Sequence, residues 1–342
     1  MHWDIGIDLG TENVRAVVPR EGVILDEAAL LVFRDGRELP AFGGKAAREI
    51  YGKTCDTMHI RRPLRDGVLE NSLTARHMIQ WVLHQSGVSS RRKRLNVLMT
   101  CAPFTRPVQQ EALMSAALEA GASVVALVRS DAAAAIGAGL DYLAPEAKMV
   151  IEAGAGKISA TLFTLGIEAA YSYLPYGMNR IDERIQRFIR ARSGFRIGKN
   201  TAEEIKRTLG SAQPEMAPID VIMHMIGFCI DERLPRRFDV ETEPVLDACE
   251  DVIREMENMC TTVVDNAPEE LSADLNDIGA VLTGEGAELT NLDRRIGNAI
   301  GIPCRVASNP GLCCARGLQA ILEQPDIYDD ILMTERANTL WR

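Results

Sequence analysis

Two short turns carry acid and glycine at spacings suited to phosphate chemistry. The first is Asp8-Leu9-Gly10-Thr11 after the apolar Ile5-Gly6-Ile7, and the second is Glu152-Ala153-Gly154-Ala155-Gly156 after Met149-Val150-Ile151. In each, an apolar run ends on a carboxylate and then turns on small residues. Backbone N–H groups can then approach an anion that larger side chains would keep away. The carboxylates would face a metal, a water or the phosphates themselves. Either turn alone reads as readily as a hairpin glycine, and it is the pair that points to a nucleotide. A third small-residue turn, Thr283-Gly284-Glu285-Gly286, follows the apolar Gly279 to Leu282.

Other chemistry finds less support. The eight cysteines include no C-x-x-C pair, and most sit in apolar runs, as buried reduced thiols do. His2, His59, His77, His84 and His224 lack metal-ligand spacing, so no metal site of the protein's own is expected. No G-x-S-x-G nucleophile elbow occurs.

The elements that must position these turns follow an α/β grammar. Residues 3–18 alternate as a hairpin around Gly10-Thr11-Glu12-Asn13, and Val23 to Phe33 is extended. A helix near Ala75 to His84 leads to a strand at Val97 to Cys101. Thr105 is placed to cap the next helix, and a strand at Val124 to Val128 precedes the small-residue helix Ala132 to Leu140. After Pro145 the pattern restarts, with strands Met149 to Glu152, Ala160 to Phe163 and Ala169 to Leu174, so the chain is an internal pseudo-repeat. Ile181 to Arg192 and Val245 to Val264 are amphipathic helices. Thr201-Ala202-Glu203-Glu204 reads as a capping box, and Asn309-Pro310 as the start of the last main helix.

Several dispersed segments resemble bacterial MreB, in MreB order. They are Ile5-Gly6-Ile7-Asp8-Leu9-Gly10-Thr11, Arg62-Pro63-Leu64-Arg65-Asp66-Gly67-Val68, Ala133-Ala134-Ala135-Ile136-Gly137-Ala138-Gly139-Leu140, Ile197-Gly198-Lys199-Asn200-Thr201-Ala202-Glu203-Glu204-Ile205-Lys206 and Ala315-Arg316-Gly317. The resemblance implies the actin-like ATPase fold, two lobes each built on a βαβ-type mixed sheet around a nucleotide cleft. The first lobe would take residues 1–143 and 315–342, with a small insertion at about 31–65. The second would take 144–314, with an insertion at about 179–245. The implied ligand is ATP with Mg2+. Asp8, Gly10, Thr11 and Asn13 would form the first phosphate loop, Gly154, Gly156 and Lys157 the second, Glu203 and Lys206 would border the adenosine, and Gly284 with Gly286 would pack near the base. Asp8 and Glu152 would be the catalytic carboxylates.

The chain departs from the family where hydrolysis is expected. The family's second loop has an aspartate, three glycines, two threonines and a glutamate, whereas Glu152, Gly154, Gly156, Lys157, Ile158 and Ser159 stand here. The Glu-Glu-Pro that positions the attacking water is replaced by Arg129-Ser130-Asp131, from which only Asp131 offers a carboxylate. Lys157 reads as a phosphate-binding cation or a surface lysine. Glu285 reads as a charge near the nucleotide, as a partner for Lys157, or as a solvent-facing side chain.

A net charge of −10 argues against a general nucleic-acid binder, and no apolar run approaches the ~18 residues of a membrane span. A cytoplasmic protein is expected. Where the family carries an apolar membrane loop, this chain has Arg91-Arg92-Lys93-Arg94, which reads as a solvated loop or as a contact with anionic lipid. The resemblance implies a cytoskeletal protein that assembles with itself head to tail and meets the membrane surface and cell-envelope proteins. The rival readings are a kinase of the same fold, for which large substrate insertions are missing, and a non-polymerising regulatory or chaperone-like module.

Overall fold

A computed structural model describes residues 2–53, 56–88, 94–217 and 221–337. Its first main sheet has the strand order Leu332–Ala337, Val124–Arg129, Asn96–Cys101, Ile5–Leu9, Asn13–Val18 and Gly22–Ala28. The three middle strands, Val124–Arg129, Asn96–Cys101 and Ile5–Leu9, are parallel, and the outer pairings are antiparallel. Helices cover both faces, which explains why Val97, Leu98 and Met99 are apolar in succession rather than alternating with polar residues.

The second main sheet repeats the plan in the order Ile167–Leu174, Ile158–Thr164, Lys148–Ala153, Ala280–Thr283 and Cys304–Val306. Again an antiparallel meander leads, and its first strand pairs in parallel with a later one. Each meander's first turn is therefore delivered to the same edge of its sheet, facing the other lobe.

Between the sheets lie the helices Ser130–Gly137 and Cys313–Glu323. Their crossing is close because their sequences are small. A Cβ on Gly317 would stand 1.8 Å from the Ala133 carbonyl oxygen, which no side chain tolerates. A shared core of Val17, Leu98, Val150, Phe163, Val281 and Leu318 draws on both sheets. The Ala-rich stretch is thus a joint between lobes.

Each lobe carries an insertion. Leu31–Arg34, Phe42–Gly43 and Met58–Arg61 form a small sheet beside the helix Lys45–Glu49. In the second lobe, helices Asn179–Ser193 and Lys199–Leu209 accompany a sheet of Phe195–Arg196, Ile222–Cys229 and Leu234–Glu241.

Some sequence expectations need correction. The extended stretch from Val23 breaks after Ala28, because Leu31–Arg34 leaves the main sheet for the insertion. Thr105 does not cap its helix, which begins at Pro107 with the Arg106 N–H bonded to Gln109 at 3.3 Å. Thr201 lies inside a helix that starts at Lys199 after Gly198. The hairpin of Ile222–Cys229 and Leu234–Glu241 and the closing strand Leu332–Ala337 gave no periodic signal that was read. Among the described residues, no helix is long and apolar enough to cross a membrane.

Candidate functional site, a cleft between two turns

The turns at Gly10 and Gly154 meet across the gap between lobes. The Gly10 N–H donates to the Asn13 carbonyl at 2.9 Å, and the Gly154 N–H donates to the Lys157 carbonyl at 2.9 Å. The contact leaves no room for side chains. A Cβ on Gly156 would lie 2.1 Å from Thr11 Oγ1. The third turn closes the side of the cleft, with Gly284 at φ 80°, in the left-handed region, and its N–H bonded to the Pro310 carbonyl at 2.8 Å.

On the floor, Asp8 accepts a hydrogen bond from Thr100 Oγ1 at 2.7 Å. Burial pushes its carboxyl above the ordinary range, against the opposing pull of Thr100 and Arg15. Opposite it stands a buried triangle. The Lys157 ammonium donates to Glu152 and, at 2.8 Å, to Ser130 Oγ, while the Ser130 hydroxyl donates to Glu152 Oε2 at 3.0 Å. Burial works against the Lys157 charge, but Glu152, helped by Cys314 and Asp131, holds the ammonium above its usual range. Lys157 is therefore a buried floor residue, not a surface lysine.

Lys157 also does not reach Glu285. Its stem packs beneath Gly67, whose added Cβ would meet it at 3.1 Å, and that directs the ammonium to the floor. Glu285 is taken instead by Arg15 and by Asn13 Nδ2 at 2.6 Å, so it does not point freely to solvent. Asp131 is fully buried and faces away from the cleft. It accepts from Arg129 at 3.0 and 2.6 Å and from Thr161 at 2.6 Å, which removes it as a substitute for the water-positioning carboxylate.

A connected chamber of about 210 Å³ is lined by Met178, Glu203, Lys206, Gly286, Leu289 and Thr290. Glu203 is bridged to Arg48 at 2.7 Å, and Lys206 to the buried Asp182 at 2.8 Å. The structure thus brings every expected nucleotide-side residue to one cleft. Of the basic run, Arg91, Arg92 and Lys93 lie outside the described residues, and Arg94 is exposed.

Sequence reading missed the residues that link the lobes. Glu12 gathers Arg62, Lys199 and Asn179, the last at 2.8 Å. Burial would raise its carboxyl, but Arg62 and Lys199 reverse that and hold it below the ordinary range. The charged Glu12 and Arg15 flanking the first turn were the available signal.

Two pseudo-repeated α/β lobes, joined by paired small-residue helices and facing each other through glycine turns, define a protein of the actin-like fold. Residues 2–330 match the MreB/Mbl protein family, and the chain belongs to that family. It is 32% identical over 339 residues to the cell shape-determining protein MreB of Escherichia coli (strain K12), covering 97% of this chain and 96% of that one. It is 29% identical over 323 residues to Mbl of Bacillus subtilis (strain 168), covering 94% and 96%. Among solved structures, MreB5 of Spiroplasma citri bound to ADP superposes with a TM-score of 0.88 at 26% identity, over 95% of this chain and 97% of that one. A MamK double helical filament shares the fold, with a TM-score of 0.77 at 20% identity, over 93% and 98%.

Proposed function

We propose that this chain is a cytoskeletal protein of the cell-shape-determining class, assembling head to tail into filaments that organise the cell envelope from the cytoplasmic side. The observation that carries this reading is that likeness to a cell shape-determining MreB spans 97% of the chain and 96% of that relative, through both lobes. A head-to-tail contact is heterologous and does not close, so it depends on outer surfaces at both ends of the subunit, and the likeness runs through both lobes. Electron microscopy and sedimentation of the purified chain, with and without ATP, test it. Filaments or extended oligomers are the expected result. A strictly monomeric species at high concentration would favour a non-polymerising module.

MreB5 of Spiroplasma citri binds ADP and AMPPNP, and an adenine nucleotide is the ligand proposed for this cleft as well. The base would lie between Glu203, Lys206 and Gly286, with the phosphates reaching between the Gly10 and Gly154 turns. The floor does not suit Mg2+. Glu152 is already paired with Lys157 and Ser130, and burial disfavours the charge on Asp8. Hydrolysis is accordingly impaired. Phosphoryl transfer relies on positioning and electrostatic stabilisation, and the carboxylates nearest the water side are committed elsewhere, Glu152 to Lys157 and Asp131 to Arg129. Steady-state phosphate release should be orders of magnitude below that of an MreB with the usual acidic residues. Robust release abolished by Asp8→Ala would overturn this.

The run Arg91 to Arg94 is proposed to meet anionic lipid, each cation contributing roughly 1 kcal/mol near a charged leaflet. Co-sedimentation with anionic vesicles should fall steeply with salt, because screening acts over about 8 Å at physiological ionic strength. Binding unchanged after all four become serine would mark the run as a solvated loop.

A further inference from the structure

A nucleotide closes a two-lobed cleft by giving both lobes something to hold at once. In this chain the lobes hold each other. From the first lobe, Glu12 engages Lys199 and, at 2.8 Å, Asn179 of the second. Arg15 of the first hairpin is ion-paired with Glu285 of the third turn. At the outer rim, Arg48 of the first insertion bridges to Glu203 at 2.7 Å. On the floor, Lys157 of the second lobe reaches Ser130 of the first at 2.8 Å. These contacts span the cleft from floor to rim, and each involves a charged group, the stronger kind of hydrogen bond.

Their placement coincides with what a bound nucleotide and its metal would supply. Lys157 puts a positive charge against the Glu152 carboxylate, in a chamber with Asp8 across from it. Arg15 and Asn13 turn inward onto Glu285 beside the Gly284 turn, between the phosphate side and the base side. Glu12, Glu152 and Glu285 each already have a cationic partner. An incoming polyphosphate would therefore have to displace an ion pair for each charge it neutralised.

We propose that the closed state of this protein is held by its own cross-cleft charges, with the Lys157 ammonium in the place of a nucleotide-bound metal, so that closure requires neither nucleotide nor divalent cation. Assembly would then answer to subunit concentration and surface rather than to a hydrolysis cycle. The claim concerns the single subunit and stands apart from whether filaments form.

Size-exclusion-coupled X-ray scattering of the monomer peak, with hydrogen exchange read at residues 10–13 and 154–157, tests it. The full chain in EDTA without nucleotide should have the same radius of gyration as with ATP and Mg2+. Combining Glu12→Gln with Glu285→Gln should expand it and speed exchange at both turns by about tenfold or more. Arg48→Met, at the partly exposed rim, is the mild variant that keeps the fold and should give a smaller change of the same sign. Glu257→Gln, whose partner Arg295 lies in the same lobe, should leave the lobe spacing alone. An expanded nucleotide-free protein that compacts on adding ATP and Mg2+ would overturn the proposal. So would cross-cleft variants that remain as compact and as protected as the parent.

Discussion

The two turns of the cleft have the same backbone design and opposite electrostatics. In the first, Asp8 is half-buried and accepts from the Thr100 hydroxyl, and its charge is disfavoured. In the second, Glu152 is buried with an ammonium and a hydroxyl on one oxygen. The same strand-to-glycine architecture can therefore present a carboxylate open to a ligand or one that is already committed. The deciding residue is the lysine three positions past Gly154. Turn geometry follows from small residues, while a turn's chemistry follows from which charges its neighbours bring.

The largest break in this comparison is Lys157→Met. It leaves Glu152 buried beside the Ser130 hydroxyl and the Cys314 thiol with no cation, and removing one partner of a buried pair costs about 3–5 kcal/mol. Urea unfolding should register that loss, and adding Glu152→Gln should recover most of it. If the single variant is as stable as the parent, the second turn is no more committed than the first.

A smaller effect is expected for Glu12→Gln, about 1–3 kcal/mol for a charge-assisted network at a side chain 11% exposed. The sign in pH follows from its depressed carboxyl. Its stabilisation is full above the ordinary value of 4.5 and is lost as pH falls through the lower folded value. The parent and Glu12→Gln stability curves should therefore converge on acidification below 4.5.

The smallest effect has the opposite sign. Asp8 has a raised carboxyl, so the stability it contributes is present below its ordinary value of 3.8 and is lost as pH rises through the folded value. Asp8→Asn should therefore stabilise the protein at neutral pH, by about 1 kcal/mol or less. Thermal unfolding at pH 7 checks it. A destabilised Asp8→Asn would mean that the first turn, like the second, depends on its charge.

Most main-sheet strands and the helices that cover them were legible because apolar patterning reports burial, the central strands being buried on both faces and most helices on one. The hairpin from Ile222 to Glu241 was not, since one side of it is exposed with Ile222 and Ile226 outward, which blurs the alternation. The strand Leu332–Ala337 draws its stability from pairing with Val124–Arg129 far back in the chain, and no local pattern encodes a distant partner.

The sequence by itself determined the two turns and the small-residue helix that begins near Ala132. Each of these depends on residue type at a local spacing. Only the tertiary structure decided that Lys157 pairs with Glu152 and Ser130 and not with Glu285, that Asp131 belongs to Arg129, and that Glu12 ties Arg62 to Lys199. An ion pair forms where folding brings long side chains within about 3 Å of one another in a partly dry site, and residues 187 positions apart, as Glu12 and Lys199 are, meet only once both lobes have formed.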